Sequence, residues 1–136
     1  MNQPEAHYPL MDHAADTLRA ASGRPLGEVT LDAAAGGDLA ITDVQVSAET
    51  LRAQAEVARR AGYPQLAENL ARAAELTAVP NAEVLGMYDA LRPGRASFDE
   101  LAALAAKLER EYRAPTCAAL VREAADVYKR RGLLRR

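Results

Sequence analysis

Several residue types that specialised sites need are scarce in this sequence. Its 136 residues include one cysteine, one phenylalanine and no tryptophan. The single cysteine, Cys117, excludes an internal disulfide and a cysteine-based zinc site. The apolar runs are a few residues long, against the roughly 20 residues of a membrane-spanning helix, and the first residues lack the basic and apolar regions of an export signal. We therefore expect a cytoplasmic protein.

Alanine is the residue that the sequence has in excess. There are 31 alanines, whereas leucine, isoleucine, valine and phenylalanine together number 27. Alanine is the best helix former and a poor strand former, so the composition predicts an all-α fold whose helices pack closely through small side chains. The length fits one domain, and the net charge of −2 is too small for a self-repelling disordered chain. The expected state is a folded protein with a thin hydrophobic core.

The chain divides into an irregular part, residues 1–46, and a helical domain, residues 47–136. In the irregular part we expect an extended N-terminal arm that leads into a short helix, and then one or two helical turns over residues 31–35 capped by Thr30. The alternating apolar residues between positions 39 and 46 fit a short strand or an irregular segment, and we interpret them as coil.

About five main helices are predicted within residues 47–136. Each begins at a serine, which can cap the helix, or at a proline, whose missing N–H is not needed in the first turn. These starts are Ser47, Pro64, Pro80, Ser97 and Pro115. Ser97 and Glu100 have the spacing of a capping box. Residues at helical spacing are expected to be buried on the helix that begins at Pro64: Leu66, Leu70, Ala73, Ala74 and Thr77.

Candidate catalytic residues are few. His7 and His13 lie in the polar arm without cysteines or carboxylates at ligand spacing, so we interpret both as exposed to solvent. Gly36 and Gly37 lack the lysine and hydroxyl residues of a phosphate-binding loop, which favours a simple turn. Cys117 falls on the apolar face of its helix, which favours a buried structural thiol over a nucleophile. The sequence predicts no catalytic, cofactor-binding or metal-binding residue on this chain.

The C-terminal segment, residues 129–136, carries five basic residues among eight. Cations stabilise a helix C-terminus through the helix dipole, whereas a basic segment is also typical of proteins that bind nucleic acid. The small net charge and the absence of interleaved aromatic residues favour the first interpretation. A stand-alone helical interaction module, or one that binds nucleic acid through this segment, is the alternative hypothesis.

Three separated strings carry a resemblance to a known family: ARAAELTAVP (71–80), MYDALRPGRAS (87–97) and CAALVREAADVY (117–128). They closely resemble the small, or gamma, subunit of adenosylcobalamin-dependent diol and glycerol dehydratases. The upstream string SAETLRAQAEVARRAGYPQLAENL (47–70) fits the same pattern, as do short stretches of the N-terminal arm. The resemblance covers nearly the whole chain.

The resemblance implies a place in an enzyme complex. Family members are dimers of a three-subunit unit, in which a large TIM-barrel subunit holds the substrate, a medium subunit helps to hold the cobalamin, and the helical small subunit packs on the large one. The complex converts 1,2-diols such as propane-1,2-diol or glycerol to aldehydes by radical dehydration. Adenosylcobalamin is then bound by the partner subunits and not by this chain, and neither nucleic acid nor a membrane is an expected partner. A location inside a bacterial microcompartment would come through the partner subunits.

A candidate subunit interface follows from the recognised strings. Its residues are Arg72, Glu75, Tyr88, Arg92 and Arg95. Arginine offers a rigid fork to carboxylates and backbone carbonyls, and arginine and tyrosine are enriched among interface residues that contribute most binding energy. A thin core also suits a chain that buries part of a helical face against a larger partner.

Overall fold

The computed structural model describes residues 8–136, and every regular element within that range is helical. Five long helices follow a stretch of short ones, which confirms the predicted all-α class. The bounds are α1 Leu10–His13, a 3-10 turn Leu26–Glu28, α2 Leu31–Ala35, α3 Ile41–Val44, α4 Ala48–Arg60, α5 Pro64–Leu76, α6 Asn81–Ala90, α7 Phe98–Arg110 and α8 Pro115–Arg131.

The chain forms two compact units, Met1–Ala74 and Glu75–Arg136. Short helices precede residue 46 and long helices follow it. The division predicted there stays a prediction as a domain boundary. The short helix expected after the arm is α1. The first seven residues of the arm, His7 among them, lie outside the described residues.

The core of the second unit lies where α7 packs against α8. Leu101 and Leu108 are its largest fully buried side chains. Ala105 of α7 and Ala118 of α8 are buried with them, and such small side chains let two helix backbones approach closely. Cys117 is buried in the same cluster, so its interpretation as a buried thiol is confirmed.

The helix starts of the second unit follow their local chemistry. The Ser97 hydroxyl accepts a hydrogen bond from the Glu100 N–H at 3.2 Å. The Glu100 carboxylate in turn accepts one from the Ser97 N–H at 3.1 Å, which confirms the capping box. Pro115 occupies the first turn of α8, and Gly132 caps the helix just after its last residue, Arg131, with a left-handed φ of 68°. Glycine suits this position because it has no Cβ to clash there.

The first unit departs from two expectations. The segment interpreted as coil contains helix α3, because the Asp43 carboxylate accepts a hydrogen bond from the Ala40 N–H at 2.7 Å and fixes the first turn. Of the residues expected to be buried by the helix from Pro64, Ala74 is buried, Leu70 and Ala73 are partly buried, and Leu66 and Thr77 are exposed; the helix also buries Ala67. The Thr30 cap is confirmed, since its hydroxyl accepts a hydrogen bond from the Ala33 N–H at 3.1 Å.

One buried carboxylate holds the irregular part of the first unit together. Asp43 accepts hydrogen bonds from the Ser22 hydroxyl at 2.5 Å and from Arg24 Nε at 3.2 Å, besides the Ala40 N–H. Arg24 also donates to the Asp38 carbonyl oxygen at 3.0 Å. We call this set of contacts the Asp43 clasp. The bond from Ser22, followed by those from Ala40 and Arg24, lowers the pKa of the Asp43 carboxyl against the opposing effect of burial.

Candidate subunit interface

Helix α6 is apolar on two sides. Met87 is buried in the core and Val84 packs against it, whereas Leu85 and Tyr88 are 69% and 63% exposed. Leu85 and Tyr88 are three residues apart and are therefore neighbours on the outer surface of the helix. A helix that is apolar on both sides normally has protein on both sides. The outer surface of α6 therefore has the character of an interface.

A shallow depression lies beside this surface. It is lined by Ala82, Glu83, Gly86, Met87, Ala90 and Leu104. Glu83 pairs with Lys107 at 3.0 Å, and this hydrogen bond is the main reason why the pKa of Lys107 is raised. The lining is mostly small and apolar, which suits contact with another protein surface.

The turn between α6 and α7 presents two arginines. Arg92 and Arg95 are both exposed, and the Arg92 guanidinium approaches the Asp89 carboxylate only at 3.5 Å. An exposed pair of this kind contributes little to stability, so the guanidinium can exchange it for a partner at small cost. With Tyr88 one helical turn before Arg92, three of the predicted interface residues lie together.

The C-terminal segment fixes the position of this turn. The Gly94 N–H donates to the Leu133 carbonyl oxygen at 2.7 Å, and the Arg135 N–H donates to the Ala96 carbonyl oxygen at 2.9 Å. The Tyr128 hydroxyl donates to the Leu91 carbonyl oxygen at 2.6 Å. Three hydrogen bonds from α8 and the residues after it therefore fix the backbone that carries Arg92 and Arg95.

The remaining two predicted residues are engaged elsewhere. Arg72, in the first unit, lies 4.0 Å from Glu68 and is largely covered, with 24% of its side chain exposed. Glu75, in the second unit, accepts hydrogen bonds from the backbone N–H groups of Thr116 and Cys117 at 3.0 and 2.8 Å. The Glu75 carboxylate therefore caps the N-terminus of α8, where the helix dipole favours a negative charge.

The cap changes the titration of Glu75. Partial burial acts to raise the pKa of its carboxyl, but the hydrogen bonds from Thr116 and Cys117 outweigh burial and hold the pKa below its ordinary value of 4.5. A carboxyl whose pKa is lower in the folded state stabilises the fold above the ordinary pKa and loses that contribution as the pH falls through the folded-state pKa.

Glu75→Ala should lower the free energy of unfolding by about 1–2 kcal/mol, the usual effect of removing a helix N-cap. The measurement is urea unfolding of the chain followed by circular dichroism at pH 7. Glu75→Gln is the matched control, since its amide oxygen still accepts one hydrogen bond and its loss should be smaller. An unchanged midpoint in Glu75→Ala would contradict the capping role.

Other charged residues of the C-terminal segment also have internal contacts. Arg135 pairs with Glu100, and Lys129 lies over the Phe98 ring at 5.1 Å from its centre.

His13, the histidine within the described range, is exposed as expected. Across residues 8–136, no helix is long and apolar enough to cross a membrane.

Sequence reasoning missed Leu85, although a signal was present. The apolar residues of α6 occupy more of the helix circumference than one buried stripe requires, so some of them had to face outward. Such an excess predicts a second apolar contact, but it does not reveal which side faces the chain's own core.

Comparison with known proteins relates the chain to one family. The family described as dehydratase small subunit matches residues 4–135. The propanediol dehydratase small subunit of Citrobacter freundii is 44% identical over 128 residues, which cover 94% of this chain and 74% of that relative. The protein of the same name from Salmonella typhimurium strain LT2 is 43% identical over 128 residues, with the same coverage of both chains.

Proposed function

Since the chain belongs to the dehydratase small-subunit family, we propose that it is the non-catalytic helical subunit of a diol dehydratase. The substrates of the assembled enzyme are 1,2-diols such as propane-1,2-diol or glycerol, and the product is an aldehyde. The observation that carries this proposal is the 44% identity to a propanediol dehydratase small subunit over 94% of the chain. No comparison supports the alternative of a stand-alone nucleic-acid-binding module.

The partners in this proposal are a large and a medium dehydratase subunit, in a dimer of heterotrimers. Adenosylcobalamin supplies radical chemistry when bound, and such chemistry needs an enclosed site that excludes water. The described residues do not fit this cofactor, because the depression beside α6 is open and mostly apolar and His13 is exposed on a four-residue helix. We therefore assign the cofactor and the substrate to the other subunits.

The proposed role of this chain is to pack on the large subunit. The outer surface of α6 supplies the apolar centre through Leu85 and Tyr88. Arg92 and Arg95 supply charged hydrogen bonds at its edge, where bidentate contacts with carboxylates or carbonyl oxygens fix the orientation of the two subunits.

We assign Arg72 and Glu75 weaker roles in assembly, each within its own unit. Arg72 brings an aliphatic stem and a partly covered guanidinium from the first unit. Glu75 holds α8 in place through Thr116 and Cys117, so its contribution to assembly runs through the fold of the second unit.

Reconstitution tests the function. The chain alone, titrated with adenosylcobalamin, should show no spectral change and produce no aldehyde from propane-1,2-diol. With its large and medium subunits it should co-purify as a complex whose mass matches two copies of each subunit, and this complex should form aldehyde. Stoichiometric cobalamin binding by the chain alone, or full activity of the other two subunits without it, would contradict the proposal.

A further inference from the structure

A second exposed apolar surface lies in the first unit, on the segment between Arg24 and Arg52. Ile41 and Val44, three residues apart on α3, are 73% and 62% exposed, and Val46 just after the helix is also exposed. Residues at this spacing are neighbours on one side of a helix. Three branched aliphatic side chains therefore project into solvent from a stretch of six residues.

The Asp43 clasp explains why these side chains point outward. Successive helical residues are turned by about 100°, so Asp43 lies on the side of α3 away from Ile41. Asp43 is buried and receives hydrogen bonds from Ser22, Arg24 and Ala40. The clasp fixes the inner side of α3 to the rest of the segment, so the apolar side chains are held on the outer side.

The charge of the segment has one sign. Residues 25–51 contain Glu28, Asp32, Asp38, Asp43 and Glu49 but no lysine, arginine or histidine. All of these carboxylates except that of Asp43 are exposed. We call the exposed aliphatic side chains Ile41, Val44 and Val46, together with the four exposed carboxylates, the 25–51 surface.

This charge decides which class of partner fits. Nucleic acid and anionic lipid would be repelled, because their phosphates carry the same sign. A second copy of the chain docked through the same surface would bring carboxylates against carboxylates, since a two-fold interface uses one patch on both partners. A segment that exposes aliphatic side chains together with carboxylates instead complements a protein surface that combines apolar residues with lysine or arginine.

We propose that the 25–51 surface is a second docking surface, through which the chain contacts another subunit of the dehydratase by an apolar patch bordered by basic residues. The proposal rests on the proposed function, because that function supplies the partner subunits. It is separate from the α6 interface, since it uses other residues and charges of the opposite sign.

Substitution of the apolar centre gives the first test. The chain carrying Ile41→Asp and Val44→Asp should bind the large and medium subunits at least about tenfold more weakly, because two apolar contacts are lost and two carboxylates are placed against an apolar patch. The matched control, Ile41→Leu with Val44→Leu, keeps the surface apolar and should assemble normally. Affinity is measured by titrating the purified variant into the complex of the other two subunits.

Substitution of the acidic border gives an independent test that leaves α3 unchanged. Glu28→Lys with Asp32→Lys should weaken assembly more than the neutral control, Glu28→Gln with Asp32→Asn. The difference in affinity between the lysine variant and the neutral control should shrink as the salt concentration is raised from about 0.05 M to about 0.5 M, because salt screens exposed charges. If far-UV circular dichroism finds the Ile41→Asp, Val44→Asp variant unfolded, this charge series decides.

Failure of the proposal can be told apart from failure of the proposed function. If the unaltered chain brings down neither dehydratase subunit, the proposed function fails and this proposal fails with it. If the unaltered chain assembles and the apolar and charge variants assemble equally well, the second surface is overturned while the function stands. A dimer of the free chain that the Ile41→Asp, Val44→Asp variant abolishes would also overturn it, because the occupant would then be a second copy.

Discussion

Reversing both charges of the α6–α7 turn, Arg92→Glu with Arg95→Glu, should weaken binding to the large subunit by about 100-fold or more. Interface arginines can contribute 2 kcal/mol or more each, and each 1.4 kcal/mol is about tenfold in affinity. The new glutamates would also repel the carboxylates or carbonyl oxygens that the proposed interface pairs with the arginines. The measurement is isothermal titration of the variant into the complex of large and medium subunits.

The fold of this variant should stay intact. Both side chains are exposed, and the turn is held by backbone hydrogen bonds from Gly94 to Leu133 and from Arg135 to Ala96. Arg110→Glu with Arg113→Glu makes the same change of net charge at another exposed site of the second unit, and should assemble far better. Equal affinity of the two variants would show that the turn lies outside the interface.

Leu108→Ala should cost the free chain about 2–5 kcal/mol, the usual range for a large buried side chain replaced by alanine. Leu108 is 1% exposed in the α7–α8 core. Many of the other buried residues are alanines, whose short side chains cannot move to fill the cavity. Natural domains are stable by only about 5–15 kcal/mol, and a thin core puts this chain at the low end. The variant should therefore lose cooperative thermal unfolding, measured by circular dichroism at 222 nm (about the helical minimum).

Partner binding should restore much of that stability. A subunit that binds only the folded form stabilises it by about 2.7 kcal/mol at a hundredfold excess over Kd, so the melting temperature of Leu108→Ala should rise when the other subunits are present. Leu85→Ala, at an exposed position of α6, should leave the melt of the free chain nearly unchanged. A free Leu108→Ala chain that melts like the unaltered one would contradict the thin-core argument.

The features that sequence predicts well here are those set by near neighbours. Thr30 and Ser97 cap their helices because the groups that they bond lie three residues away, and Pro115 opens α8 because its ring already has the helical φ angle. The strings that carry the family resemblance are continuous stretches of sequence, and they fall on the long helices, which are also set by residues close in sequence. Tyr88, Arg92 and Arg95 are exposed, but their place in a subunit interface stays a prediction.

Features that depend on distant partners were not predictable. Asp43 receives its bond from Ser22 over 21 positions, and Glu75 meets the N–H of Cys117 over 42. Nothing in the local sequence shows that the Glu75 carboxylate caps α8 or that Asp43 is bonded by Ser22, and the role of Glu75 at a subunit interface stays a prediction. Leu66 shows a different limit. Helical spacing predicts that one side of a helix is buried, but it does not predict which residues at the edge of that side remain exposed.

The Asp43 clasp makes the segment from Ser22 to Val44 a single unit of local opening. Ser22, Arg24 and the Ala40 N–H all donate to the same carboxylate, so loss of that carboxylate's contacts removes three hydrogen bonds of the segment at once. We therefore expect the amide protons of this segment to share one opening equilibrium and to exchange with solvent as a group. The same opening would expose the chain between Ser22 and Val44 to proteases, which cleave segments that open locally.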